Sequence, residues 1–226
     1  ETSPVVAACN DFINVFGTIG HPVANVEVAI DKPDANGMGE ILTRGRNVML
    51  GYYENETATA EVMDAEGWFH TGDLGTIDEA GVIRITGRVK SMIVLSNGKK
   101  AFPEEFEMLL SHIPGVKDAL AWGHKTSDGS VQICAKLVLD RTALMALNNG
   151  EMPAEALLAD RFEKAIREIN EILPQYKMIR YFLMTETDLV KTTTLKVKRS
   201  VEESGIMDWL KKQGLDMRKA SGRLVG

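Results

Sequence analysis

The side chains best suited to handling a small polar ligand lie far apart in this sequence. Asp73, in Thr71-Gly72-Asp73, carries a carboxylate whose oxygens match the paired hydroxyls of a ribose-like diol. Gly72 lets a ligand approach the backbone closely, although Gly-Asp taken alone reads as a turn. Arg88, directly after Gly87, offers several donors from one rigid fork; taken alone it is a surface Arg at a strand end. Lys196 is a point charge in the polar run KTTTLKVKR (191–199), where a single Lys reads first as solvated. Gly98 belongs to Asn97-Gly98, a tight-hairpin dipeptide. Lys99 and Lys100 follow it, a pair able to meet phosphates but equally at home on a plain surface.

The elements that must position these residues fall into two blocks. Residues 1–86 read as strands and turns. VEVAI (26–30) alternates in part as a half-buried strand does, and GEILTRG (39–45) supplies its partner across a turn holding Pro33 and Asn36-Gly37. Asn55 is placed to cap a short helix over 55–63, and VIRITGR (82–88) is a further strand. In the second block, MIVLS (92–96) and Asn97-Gly98 predict a hairpin, and Pro103 with Glu104 and Glu105 predicts a helix start. DALAWGH (118–124), VQICAKLVL (131–139) and RYFLMTE (180–186) read as strands. Leu158, Phe162, Ala165, Ile169 and Leu173 recur at helical spacing over 153–173, and Pro174 ends that helix.

Composition narrows the class. A chain of 226 residues fits one or two domains and can bury a core. A net charge of −6 argues against general nucleic-acid binding. Cys9 and Cys134, far apart and each in an apolar run, read first as buried free thiols of a reducing compartment and second as a disulfide. No run is long and apolar enough to span a bilayer, and no signal peptide is seen. The tail from Asp208 carries Lys211, Lys212, Arg218, Lys219 and Arg223; it reads first as a fraying, solvated end and second as a peripheral membrane contact. The chain opens on Glu1 rather than Met and is read as a piece of a longer protein.

In this order the motifs resemble the C-terminal part of the adenylate-forming superfamily, which includes acyl-CoA synthetases, peptide-synthetase adenylation domains and luciferase. WFHTGDL (68–74) is similar to the superfamily's aromatic-or-His, Thr/Ser, Gly, Asp pattern, which implies that Asp73, with Thr71 beside it, holds the ribose of ATP. Arg88 matches the Arg of the Gly-Arg-x-Lys or Gly-Arg-x-Asp hinge pattern, implying nucleotide binding, and Lys90 takes the hinge position. Lys there is typical of acyl-CoA synthetases, whereas peptide synthetases more often carry Asp. Residues 191–199 resemble the ending Pro-Lys-Thr-x-x-Gly-Lys-Ile-x-Arg, which makes Lys196 the catalytic cation of the first step. Val190 stands where Pro is usual and Leu195 where Gly is usual; Leu at that place resembles bacterial long-chain fatty acyl-CoA synthetases.

Gly98 matches the glycine turn lining the pantetheine tunnel of CoA ligases, with Lys99 near the CoA phosphates, and Pro103-Glu104 matches a helix start. Glu1-Thr2-Ser3-Pro4 resembles the end of the Tyr-Gly-x-Thr-Glu motif, whose Glu places the magnesium of ATP; without its neighbours Glu1 is not expected to do so. GEILTRGRNVMLGYY (39–53) matches a family segment read as scaffold. The resemblance implies an α+β chain: residues 1–88 the β-rich end of a large AMP-binding domain, 89–205 a small mobile lid domain, 206–226 a basic tail. It also implies a cytoplasmic ATP-dependent ligase using Mg2+ and CoA to activate a carboxylic acid, a long-chain fatty acid first, with the piece alone inactive. Carrier-protein loading and a non-catalytic binding module are the alternatives.

Overall fold

The computed structural model describes residues 1–12 and 14–225. It is α+β, and its internal contacts divide it between Met92 and Ile93, just beyond the boundary expected at Arg88.

The first unit is β-rich. Short strands β1 (Ala7–Ala8) and β2 (His21–Pro22) pair antiparallel. The main sheet takes β3 (Val26–Asp31), β4 (Gly39–Gly45), β5 (Phe69–Ile77) and β6 (Ile83–Arg88) in sequence order, every pair antiparallel. Asp34 closes the β3–β4 turn by accepting from the N–H groups of Asn36 and Met38. Helix α1 (Glu56–Val62) is capped as its sequence predicts, with Asn55 Oδ1 accepting from Ala58 N–H at 3.0 Å. Ile41, Leu42, Phe69, Leu74, Val82 and Ile83 are buried.

Thr71-Gly72-Asp73 lies inside β5, which corrects the turn that Gly-Asp suggests in isolation. Pairing runs from Glu40↔Leu74 to Leu42↔His70, so Thr71, Gly72 and Asp73 all face Ile41 and the strand bulges. Gly72 adopts φ of 71°, a left-handed conformation that glycine reaches without steric cost.

The second unit opens with a hairpin of β7 (Ile93–Val94) and β8 (Lys100–Ala101), turned at Asn97-Gly98 as expected. Helix α2 (Pro103–Ser111) begins on Pro103. A three-stranded sheet follows, built from β9 (Val116–Lys125), β10 (Val131–Leu139) and, after α3 (Arg141–Ala146) and α4 (Glu155–Ile172), β11 (Ile179–Thr185). Strand β10 lies in the middle, antiparallel to β9 and parallel to β11, so α4 serves as the crossover that parallel neighbours need. Its alternation feeds two layers. Ile133, Ala135 and Leu137 join a core with Phe106 of α2 and Leu158, Phe162 and Ile166 of α4. Cys134 and Val138 point the other way, into a second core closed by the C-terminal helices.

Two expectations are corrected here. The C-terminal stretch does not fray: it forms α5 (Arg199–Gln213) and α6 (Met217–Ala220), and Leu224 bridges to Met184 of β11. Ile206, Leu210, Met217 and Ala220 are buried, whereas the five basic residues that suggested a solvated end are exposed on the outer side. The exposed charges mask a weak apolar signal, of which Ile206 and Leu210, four residues apart, are the helical part. Cys9 is exposed, because it follows a two-residue strand at the margin of the first unit. Cys134 is buried as expected, and burial pushes its thiol up to about 12. Among the described residues no helix is long and apolar enough to cross a membrane.

Candidate functional site

In the first unit the bulge of β5 gathers the nucleotide-site candidates. Strand pairing sets Asp73 opposite Arg88, and Arg88 Nε donates to Asp73 Oδ1 at 2.7 Å. A second guanidinium nitrogen of Arg88 reaches Thr71 O at 3.4 Å. The Asp73 side chain is 29% exposed, and its Oδ2 has no partner among the described residues. Thr71 Oγ1 donates to Ile41 O at 2.7 Å and accepts from Asp73 N–H at 3.1 Å. A half-open carboxylate already oriented by a guanidinium suits the paired hydroxyls of a diol, which can donate to it. Lys90 is exposed in a single helical turn, Val89–Ser91, directly after Arg88.

Glu1 is exposed at the start of the first unit. Its carboxylate accepts from Tyr52 Oη at 2.5 Å, and its carbonyl accepts from Met49 N–H at 2.8 Å. Among the described residues, the ligand atoms of Asp31, Glu40 and His70 converge, all within 4.8 Å of one another. Glu1 is not among them.

In the second unit Lys196 is exposed at the tip of a hairpin closed by the Lys191↔Val197 bridge. Inside the tip, Thr192 N–H donates to Lys196 O at 2.8 Å and Leu195 N–H to Thr192 O at 2.9 Å. The base is pinned on all sides. Lys191 Nζ meets Asp118 Oδ2 at 2.6 Å. Val190 N–H donates to Glu202 Oε1 at 2.7 Å, and Glu202 Oε2 pairs with Lys136 Nζ at 2.8 Å. Arg199 donates twice to Glu107, at 2.8 and 2.7 Å, and to Ala121 O at 3.1 Å. Burial works against its charge, but the Glu107 pair more than offsets this and holds its pKa raised.

Leu195 explains the departure from Gly. Its φ is 61° and it is 78% exposed, so Leu occupies the left-handed position a glycine would take, with its side chain in open space. Left-handed backbone costs a non-glycine residue about 1–2 kcal/mol. Leu195→Gly is therefore expected to leave stability unchanged or raise it by up to ~1 kcal/mol. Leu195→Val, β-branched at the same φ, is expected to lower it by roughly 1–2 kcal/mol. Urea unfolding checks both, and a Val variant as stable as the parent would overturn the assignment.

Gly98 is exposed, with φ of 76° and nothing within 4 Å of an added Cβ, so backbone conformation rather than crowding requires glycine there. Lys99 stacks its Nζ over the Tyr176 ring at 4.2 Å. A cleft of about 260 Å³ lies alongside, lined by Ser96, Asn97, Gln132 and Tyr176. The structure thus brings Thr71, Asp73 and Arg88 together, and separately Gly98 and Lys99. Sequence reading missed Glu40, Lys136, Glu107, Arg199 and Glu202 as supports; Glu107 and Arg199 do stand in the PEEFE and KTTTLKVKR segments, three residues from a noted candidate in each case.

The family model for the AMP-binding enzyme C-terminal domain matches residues 90–204, and the chain belongs to that family. It is 32% identical over 216 residues to the long-chain-fatty-acid–CoA ligase FadD15 of Mycobacterium bovis, covering 89% of this chain and 34% of the relative. It is 43% identical over 114 residues to a Mycobacterium tuberculosis CoA ligase for a methyl-dioxo-octahydro-indenyl propanoyl group, covering 50% and 21%. The ATP-bound crystal structure of MatB from Rhodopseudomonas palustris superposes with a TM-score of 0.67 at 26% identity, over 85% of this chain and 36% of that one. The chain spans about a fifth to a third of the length of the curated relatives it matches.

Proposed function

We propose that this chain is the C-terminal part of a cytoplasmic, ATP-dependent acyl-CoA ligase that works in two steps. In the first, a carboxylate oxygen attacks the α-phosphorus of ATP and pyrophosphate leaves, giving an acyl-AMP. Asp73 accepts from the ribose hydroxyls, Arg88 holds Asp73 and adds donors, and Lys196 neutralises charge between the two reacting anions. In the second step the unit beginning near Lys90 turns at that residue, Lys196 withdraws, and the Gly98 turn with Lys99 lines the approach of CoA. The CoA sulfur attacks the acyl carbon and AMP departs. Separate use of two faces of one lid accounts for functional residues on both sides of the hinge.

One observation carries this reading: Lys196 rides an exposed hairpin tip whose base is pinned by ion pairs. That is how a cation would be delivered to a site built elsewhere. The near-complete exposure of Phe12, Phe16, Leu50 and Tyr53 supports a larger domain covering the first unit. Magnesium would accompany ATP, with the exposed carboxylate of Glu1 its expected ligand, and no step is assigned to the metal. The substrate we propose is a long-chain fatty acid, on the Leu195 and Lys90 marks and the likeness to FadD15.

The test is a carboxylic-acid screen on the longer protein, following pyrophosphate and thioester formation with free CoA and with a pantetheinylated carrier protein. Long-chain acids with free CoA are expected to give both products. Thioester formed only on the carrier would replace CoA as acceptor. Absence of acid-dependent pyrophosphate would overturn the ligase reading itself.

A further inference from the structure

Glu40 is the second residue of β4, inside the segment read from sequence as scaffold, yet its carboxylate reaches into the bulge of β5. Oε1 accepts from Gly72 N–H at 2.9 Å, and Oε2 meets His70 Nδ1 at 2.9 Å. An ionised carboxylate can only accept, so this contact places the His70 proton on Nδ1. Both side chains are partly buried. Asp31, opposite Glu40 in the β3–β4 register, is occupied by Lys32 at 3.0 Å.

The bulge explains why such a support is needed. Three residues of β5 face Ile41 alone, so the ladder cannot satisfy every backbone group between His70 and Leu74. Partly buried N–H groups left unpaired are costly and rare. Here Gly72 N–H goes to Glu40, Asp73 N–H goes to Thr71 Oγ1, and Thr71 is itself tied to Ile41. The direction in which Asp73 leaves the strand is thus set one residue earlier, by a carboxylate held in turn by His70.

We propose that Glu40 is a positioning residue for the nucleotide site: with His70 it fixes the Gly72 bulge and so presents Asp73 to its ligand. This rests on the reading of Asp73 as a nucleotide ligand. Glu40 acts through Asp73 and need not touch the nucleotide. Glu40→Gln keeps an acceptor but loses the charge that Gly72 N–H and His70 share. Charge-assisted bonds of this kind are roughly twice as strong as neutral ones, and a loss of about tenfold in nucleotide affinity is expected.

Two measurements test the proposal and separate it from its premise. In the 226-residue chain, the Gly72 amide proton is expected to exchange with solvent about tenfold faster in Glu40→Gln than in the parent. Glu40→Asp, too short to reach both partners, serves as the second variant if the first does not fold. Unchanged Gly72 exchange in a folded variant would overturn the clamp whatever the ligand is. In the longer protein, AMP binding is measured for Glu40→Gln, Asp73→Asn and the double variant. Weakening by each single change, with little added in the double, supports the proposal because both act through one carboxylate. Full additivity, or normal AMP binding in Glu40→Gln, would overturn it. Should Asp73→Asn bind AMP normally, the Asp73 reading fails and the positioning role with it, while Gly72 exchange still judges the clamp.

Discussion

Lys196→Ala in the longer protein is expected to lower acid-dependent pyrophosphate release by about 10²–10³-fold, the scale seen when one preorganised charge stabiliser is removed. Thioester formation from supplied acyl-AMP is expected to fall by less than about tenfold, because in the proposed scheme Lys196 has left the site by then. The structure makes this a clean substitution. The Lys196 side chain is exposed and has no ion-pair partner among the described residues, and the hairpin around it is held by backbone bonds and by Thr192. Stability should therefore stay within about 0.5 kcal/mol of the parent, as for surface changes generally. Lys196→Arg adds a further check. A guanidinium keeps the charge but spreads it over a planar fork, so partial recovery of the first step would point to charge and no recovery to the compact ammonium. Stopped-flow or coupled assays of the two half-reactions separate the outcomes. Equal losses in both steps would refute the division of labour between the lid's two faces.

What could be read from the sequence was local. Asn97-Gly98 fixes the hairpin, Pro103 starts its helix, and Asn55 caps α1, because each acts within a few residues of itself. The alternation in VQICAKLVL showed a strand, although not that its two faces enter different cores. The candidate residues were legible as types in a familiar order. Their supports were not. Glu202 of α5 pairs with Lys136 of β10, Arg199 with Glu107 between helices, and Glu40 with His70 between neighbouring strands. Nothing near any of these residues in the chain marks its partner. Position 72 shows the same limit: Gly-Asp announces a turn, and only the partner strand reveals that the chain stays in the sheet and bulges there. In the C-terminal segment the basic residues drew more attention than the spacing of Ile206, Leu210 and Met217, which is what docks it.

Glu202→Ala is expected to lower the stability of the second unit by about 3–5 kcal/mol, the cost of leaving one partner of a buried ion pair alone. The Glu202 and Lys136 side chains are only 5% and 12% exposed, so neither has water as a ready substitute. The same substitution removes the acceptor of Val190 N–H, the last backbone group before the hairpin. With typical domain stabilities of about 5–15 kcal/mol, such a loss is a large fraction of the whole. Urea unfolding followed by tryptophan fluorescence measures it, since Trp122 and Trp209 both belong to the core that Glu202 borders. A companion variant separates charge from backbone. Lys136→Met with Glu202→Leu removes both charges and is expected to recover most of the stability, while still lacking about 1–3 kcal/mol for the unpaired Val190 N–H. If the double variant were as unstable as Glu202→Ala, the ion pair would not be the source of the loss. If instead the double variant folds well but its hairpin exchanges amide protons faster, the role of Glu202 is to hold the base from which Lys196 is presented.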